Sequence, residues 1–407
     1  MSNEKFQVRT VKVLATAQIL NGLGVAGTVA AGSLLVASIS NSETLAGLAQ
    51  TSSVLGAAAL AIPLARLTAK GGRRLALSSG YVAGVLGALL AIIGGHSKNL
   101  PLTLCGTFLI GAASAAGYQA RFAAIDMATD ENRAKQLSFV VWGLTFGAVA
   151  GPNLMEPSGN LAAQLGLPRL VGPYLIAAVT LLLATFVIQV FLRPDPFLSA
   201  HHKDRASAKR STKVVLSYIR KNQRALFAMI SIAIGHVAMV TVMVMTPVHM
   251  KHVSHGEVSL TIIGFVISIH VVGMYAFSPV VGALSDRIGR VRTIQLGITT
   301  LLIAAIVSGT AAPHNHVSLG AGLFLLGLGW SCTLIAGSAF LNESVSQELK
   351  TSTQGASDLV MNLSGAAGGA IAGVVIANLS YGWLCFIAAV PVAILGIWSF
   401  RVMRLSK

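Results

Sequence analysis

Charged side chains are scarce in this chain. Only 10% of its 407 residues are Asp, Glu, Lys or Arg, against about 25% in soluble globular proteins, so most of its surface cannot be built for water. Acids are rarer still, 13 against 29 Lys and Arg, which leaves a formal charge of +16. The three cysteines, Cys105, Cys332 and Cys385, sit in separate apolar segments without CxxC spacing. That excludes a disulfide framework or a zinc knot and leaves packed thiols. No Ser/His/Asp set, no Gly-rich phosphate loop with a Lys and no pair of carboxylates stands at catalytic spacing, so an enzyme is not indicated and no cofactor is implied. The polar start MSNEKFQVRT leads into a long apolar segment with no small-residue cleavage site, which reads as a retained helix and not as a removed signal peptide.

What the chain does have is apolar length. Hydrophobic residues make up 54% and the mean hydropathy is +0.74, the composition of a membrane protein. An apolar helix needs roughly 20 residues to cross a bilayer, and the sequence predicts twelve such spans. In the first half they cover about 12–39, 45–66, 75–95, 101–121, 137–155 and 171–192, and in the second about 225–248, 260–284, 293–312, 317–341, 353–377 and 382–402. The expected organisation is a first six-helix bundle at 1–192, a basic linker at 193–224 and a second bundle at 225–407. The linker, RPDPFLSAHHKDRASAKRSTKVVLSYIRKNQRA, carries nine Lys and Arg. With the linker placed inside, the inner loops and termini hold 26 Lys and Arg, and the other side holds only Lys98, Arg169 and Lys251. The positive-inside rule then puts both termini in the cytoplasm of a multi-pass cell-membrane protein. The basic residues are spread over every inner loop, which excludes a nucleic-acid partner and leaves the lipid bilayer.

The halves repeat. GALSDRIGRVR, Gly282 to Arg292, follows the eighth span, and its degenerate counterpart ARLTAKGGRR, Ala65 to Arg74, follows the second. Gly143, Gly147 and Gly151 recur every four residues in span five, as Gly365, Gly369 and Gly373 do in span eleven. Such spacing makes a flat helix face on which another backbone can lie closely.

With its 6+6 spans, basic central loop and the match of GALSDRIGRVR to G-x-L-[AS]-D-R-x-G-R, the whole chain resembles the major facilitator superfamily. The resemblance implies an all-α membrane fold of twelve helices in two pseudo-symmetric six-helix bundles, acting as a monomer on a small-molecule or ion substrate by alternating access. It also implies that Asp286, Arg287 and Arg290, set between Gly282 and Gly289, latch the halves together on the cytoplasmic side. In the first-half copy Gly72, Arg73 and Arg74 fit the pattern, but Ala69 stands in place of the Asp and Lys70 in place of the Arg. Asp358, early in span eleven, is the acid that could approach that basic loop. GLTFGAVAGPN, with Gly147, Gly151 and Pro152, resembles the GxxxGP core associated with exporters, although NL replaces the usual glycine pair; it reads first as a bend and packing element.

Ionisable groups inside a membrane are costly and so mark function by default. Asp126, Asp130, Glu131, Arg121 and Arg133 crowd the end of span four and are expected to serve the loop. Gln18 and Asn21 are polar in span one, but that span lacks an acid, which disfavours sugar symport. Asp358 has Asn362 one turn later on the same face. His236 in span seven and His270 in span eight are the remaining titratable groups. At 100° per residue His236, Met239, Met243 and Met250 share a sector of roughly 60°, and Met274 lies one turn from His270. Six of eleven methionines and five of ten histidines fall between Met229 and Met274. Methionine is also an ordinary gap-filler, so the cluster is either packing around an organic substrate or a ligand set. Thioether and imidazole suit Cu(I), with Met239, Met243, His270 and Met274 as its ligands and His249, His252 and His255 at the entrance. The pairs Met239/Met243 and His270/Met274 are similar to the MxxxM and HxxxM motifs of CcoA-type copper importers, and GLGWSCTLIAGSAFLNESVSQELKTSTQGASDL resembles a segment of those proteins and of their riboflavin-transporting relatives. The leading expectation is proton-coupled efflux of an organic solute, with Cu(I) import as the alternative and a non-transporting membrane sensor as a remote third.

Overall fold

The computed structural model describes residues 3–41, 45, 48–129, 131–200, 212–253, 260–312 and 315–405. His255 and Asp130 lie outside them, and the side chains of His252 and Pro152 are likewise not described. The described residues are helical almost throughout, without strands. In chain order the helices are α1 Asn3–Ser40, α2 Leu48–His96, α3 Leu100–Ala123, α4 Arg133–Asn153, α5 Met155–Gln164, α6 Gly172–Phe191, α7 Pro196–Ala200, α8 Thr212–Lys221, α9 Gln223–Val253, α10 Leu260–Tyr275, α11 Ser278–Ile288, α12 Arg290–Gly309, α13 His316–Glu343, α14 Lys350–Asn378 and α15 Tyr381–Leu405.

Ten helical stretches among the described residues are long and apolar enough to cross a membrane, and the difference from twelve has two causes. The 49-residue α2 is two helices joined at Gly72, whose φ of 86° and ψ of 175° are not helical. The span expected at 137–155 is broken, since α4 and α5 meet at a bend of 58° just after Pro152. Splitting α2 and counting the bent pair once restores twelve. The two halves use the same device: Gly289, between α11 and α12, has φ 96° and ψ 157°. This region of backbone space is open essentially to glycine alone.

The chain forms two compact units, and two helices change unit along their length. The first comprises residues 1–129, 139–215 and 346–359, the second 130–138, 216–345 and 360–407. Thus α4 begins in the second unit and continues in the first, and α14 does the reverse. The core of the first unit is rich in alanine, with Leu14, Leu77, Tyr81, Ala113, Ala116 and Leu181 buried among α1, α2, α3 and α6. Outward faces carry large apolar side chains, among them Phe186, Val280, Ile306, Ile394 and Phe400, each more than half exposed. Soluble proteins rarely expose large apolar patches, whereas hydrocarbon tails cover such side chains at no cost. The glycine row of α4 does what its spacing suggests: a Cβ at Gly143 would meet Ala15, one at Gly147 would meet Gly22 and Leu23, and one at Gly151 would meet Gly27, all on α1. In α14, Gly365 lies against His236 and Gly368 against Val237 and Thr241 of α9.

Candidate functional site

In the first unit, a buried polar network starts at the Gly72 turn. Arg73, fully buried, donates to both carboxylate oxygens of Asp126 at 2.8 and 2.9 Å, to Gln119 Oε1 at 3.2 Å and to Gln354 Oε1 at 2.8 Å. The amide of Gln119 then donates to Asp358 Oδ2 at 2.7 Å, and Arg121 Nη2 donates to Asp358 Oδ1 at 2.5 Å. Two guanidinium groups and two carboxylates are thus joined through one amide, and the charges balance. The Arg121–Asp358 pair is the drier, each side chain about 1% exposed. Charges so far from water are tolerated only when paired and hydrogen-bonded. Arg121, expected to serve the loop, is instead committed to the interior, its guanidinium over the Phe122 ring at 4.6 Å. Arg74 contributes its backbone: its N–H donates to Asp195 Oδ2 at 2.8 Å, and the other oxygen of Asp195 receives the amides of Phe197 and Leu198. The carboxylate missing at Ala69 is therefore partly replaced by one from the segment after α6, pressed against Gly72.

The second unit builds its network on the Gly289 turn. Asp286 accepts the backbone amides of Ala134 at 3.1 Å and Lys135 at 2.8 Å, in the first turn of α4, and is also bonded by Arg290. An anion there satisfies amides that have no partner within the helix and opposes the positive end of its dipole. Arg290 donates to Glu343 through Nε at 3.0 Å and Nη2 at 2.9 Å, and Arg133 reaches the same carboxylate at 3.2 Å. Gly282 lets α11 approach this turn, since a Cβ would strike Ser138 and the carbonyl of Ala134. Arg287 is exposed.

The candidate substrate residues are buried and held by neighbours. Gln18 Nε2 donates to the carbonyl of Gly117 on α3 at 3.0 Å, and Asn21 donates to Gln18 Oε1 at 3.4 Å. The Asn21 carbonyl oxygen is buried without a hydrogen-bond partner. Met239 and Met274 are buried, Met243 is half-buried and Asn362 is buried on α14. His236 and His270 both bond to α13. Trp330 Nε1 donates to His236 Nδ1 at 3.1 Å, and His270 Nδ1 lies 2.7 Å from the carbonyl of Leu323. Indole is a donor only and a carbonyl an acceptor only, so the two rings are held in opposite tautomers. His236 carries its lone pair on Nδ1, whereas His270 has the proton on Nδ1 and a buried, unpartnered Nε2. Among the described residues no three His, Cys, Asp or Glu side chains form a metal-binding group. Trp330, 2% exposed and edge-on to Tyr275 at 5.6 Å, was not singled out in the sequence. Its signal would have been a lone Trp in the middle of a glycine-rich span.

The comparisons agree with this architecture. A family model described as Major Facilitator Superfamily matches residues 14–260 and 252–406. The Bacillus subtilis (strain 168) MFS-type transporter YdeG is 36% identical over 376 residues, covering 92% of this chain and 87% of its own length. The riboflavin transporter RfnT of Brucella anthropi is 26% identical over 353 residues, covering 87% and 85%. Among solved structures, the human organic anion transporter MFSD10 (TETRAN) superposes with a TM-score of 0.74 at 16% identity, over 97% of this chain and 99% of that one. A repeated glycine turn, an arginine bonded to the acid 53 residues on in each half, and a family match spanning nearly the whole chain lead to one assignment: the chain belongs to the major facilitator superfamily and is a multi-pass membrane transporter.

Proposed function

We propose that this chain is a monomeric secondary transporter of the cell membrane that exports a small organic solute in exchange for protons by alternating access, with both termini in the cytoplasm. The observation that carries the reading is the pair of carboxylate grips, one on the first turn of α4 and one in the third turn of α14. Asp286 holds the amides that open α4, and Asp358, near the start of α14, is held by Arg121 and Gln119. Each grip is made within one unit, on a helix that continues into the other, so each carboxylate fixes the part of a shared helix that lies in its own unit. The charge split of the inner loops supports the orientation. Export is supported by the likeness of the run Gly147, Gly151 and Pro152 to the GxxxGP core associated with exporters. An organic heterocycle is supported by the relative named as a riboflavin transporter. Gln18, Asn21, His236, Met239, Met243, His270, Met274 and Asn362 are the proposed substrate contacts, and Asp286, Arg287, Arg290, Arg73, Arg74 and Asp358 the gating residues.

The test uses inside-out membrane vesicles with an imposed pH gradient, monitored by a fluorescent amine, and a panel of aromatic heterocycles that includes riboflavin. At least one compound should collapse the gradient only in vesicles that contain the protein, and Asp286→Asn should abolish that response. A silent panel, with equal compound content in cells with and without the protein, would overturn the reading.

A second reading, Cu(I) as imported cargo, is favoured by one observation: the tautomer of His270 leaves the Nε2 lone pair unused one turn from Met274. Unchanged cellular copper in Met239→Leu/Met274→Leu, a volume-conserving pair, would remove it.

A further inference from the structure

We propose that His236 is the proton-carrying group of the cycle, and that its protonation works by expelling Trp330. This rests on the proton-coupled reading above and adds the residue and the motion. Nδ1 of His236 accepts the indole N–H at 3.1 Å. Because indole can only donate, that bond exists only while Nδ1 is unprotonated. A proton taken from water on one side of the membrane and bound at Nδ1 turns the acceptor into a donor, so two N–H groups face each other and the contact must open. The proton leaves from the same nitrogen on the other side, and the bond to Trp330 re-forms.

The packing decides which partner moves. Behind the imidazole stands Gly365 of α14, where even a Cβ would lie 2.8 Å from ring atoms Cδ2 and Nε2. The ring is therefore backed closely by the α14 backbone, and its retreat in that direction is limited to the space that a methyl group on Gly365 would fill. Displacement falls on Trp330, whose ring is tilted 44° from His236 at 6.2 Å and packs edge-on against Tyr275. Through that second contact the motion passes from α13 to α10, which already meet closely where Gly327 lies against the backbone of His270 and Met274. His270 cannot serve in the same way, because protonating its Nε2 leaves the bond to Leu323 intact.

The ionisable groups on the surrounding helices are few. Tyr275 reaches His236 through Trp330, and His270 and Cys332 lie along α10 and α13. On α12 and α13 the charges stand at the ends, as Arg290, Arg292, His316 and Glu343, and α15 has Tyr381, Cys385, Arg401 and Arg404. Beyond Asp358, α14 carries none.

The experiment needs no known substrate. In full-length protein with Trp142→Phe, Trp383→Phe and Trp398→Phe, reconstituted in lipid nanodiscs, the hydrogen-bond-sensitive indole band of Trp330 is followed by ultraviolet resonance Raman as pH falls through the histidine range, about 8 to 5. The hydrogen-bonded signal should be lost in a single one-proton step. His236→Gln, which can still accept but cannot titrate, should keep the signal at every pH, and His270→Gln should keep the step. A parent signal independent of pH, an unchanged step in His236→Gln, or loss of the step in His270→Gln would each overturn the proposal. Proteoliposomes with trapped pyranine separate this from the broader reading. If riboflavin and the rest of the panel evoke no proton flux in the parent, proton coupling fails whatever Trp330 does. If the parent responds and His236→Gln responds equally, only the role of His236 fails. The expected result is loss of solute-evoked proton flux in His236→Gln.

Discussion

The turns at Gly72 and Gly289 share a backbone and differ in where their acids stand. Both glycines sit at positive φ, both are followed by an arginine, and each arginine binds the carboxylate 53 residues further on, Asp126 or Glu343. Counted from those glycines, Asp286 corresponds to Ala69, and Arg121, Gln119 and Asp358 correspond to Ser338, Ala336 and Val141. The second unit thus keeps its acid in the loop, where it caps α4 with side chains about 9% exposed. The first unit has no acid at that place in its loop and carries a carboxylate on α14, inside, where it is paired at about 1% exposure. One half grips a helix through backbone amides, the other through a buried ion pair. The two differ in what breaking them costs, because amides that lose a cap can be rewetted at a helix end, whereas a guanidinium left alone in the interior cannot.

The largest effect should therefore come from Arg121→Leu, which strands Asp358 and should destabilise the protein by about 3–5 kcal/mol, read as a fall in the thermal midpoint in detergent micelles. The double variant Arg121→Leu/Asp358→Leu should recover most of that loss. If the single and double variants unfold alike, the pair is not the buried network described.

The next comparison sets the glycines against each other. Gly289→Ala should cost about 1–3 kcal/mol for its backbone region alone, since nothing lies within 4 Å of a Cβ there. Gly72→Ala should cost more, because its Cβ would also collide with the Asp195 carboxylate. Equal midpoints would show that Asp195 yields freely.

Asp286→Asn keeps an acceptor for one of the two α4 amides, which bind different oxygens, and removes the charge, and should lower stability by about 0.5–2 kcal/mol. Its larger consequence should be lost transport, because it biases one state of the cycle over the other. Wild-type transport would reduce the loop to an anchor. The smallest effect is expected of Arg133→Gln: its partner Glu343 is 21% exposed and keeps Arg290, and such pairs contribute about 1 kcal/mol or less. A loss above 2 kcal/mol in the same assay would mean the second network is as tightly buried as the first.

Much of this was legible in the residues. The spans, the repeat around Gly72 and Gly289, and the close-packing row Gly143, Gly147 and Gly151 are all periodic or local signals. The absent acid at Ala69 was visible as well, and Asp358 stood out as an acid near the basic loop. Its partner was not legible. Arg121 lies 237 residues away among other charges at the end of α3, and sequence spacing cannot distinguish which of them pairs with Asp358. Gln119 is inconspicuous for the same reason, as an amide bridges charges only where the fold presents one on each side.

Hydropathy and loop charge are summed over a segment and need no partner, so the sequence by itself determined a twelve-span all-α membrane protein. The steric rule at a glycine turn is equally local, and it determined where each half folds back on itself. Only the tertiary structure decided which nitrogen of each membrane histidine bears the proton. His236 faces an indole that can only donate and His270 a carbonyl that can only accept, and both partners are supplied by α13, 94 and 53 residues further along the chain. A tautomer is fixed by whatever the opposing helix presents, and the chain's own order carries no trace of that until the helices have packed.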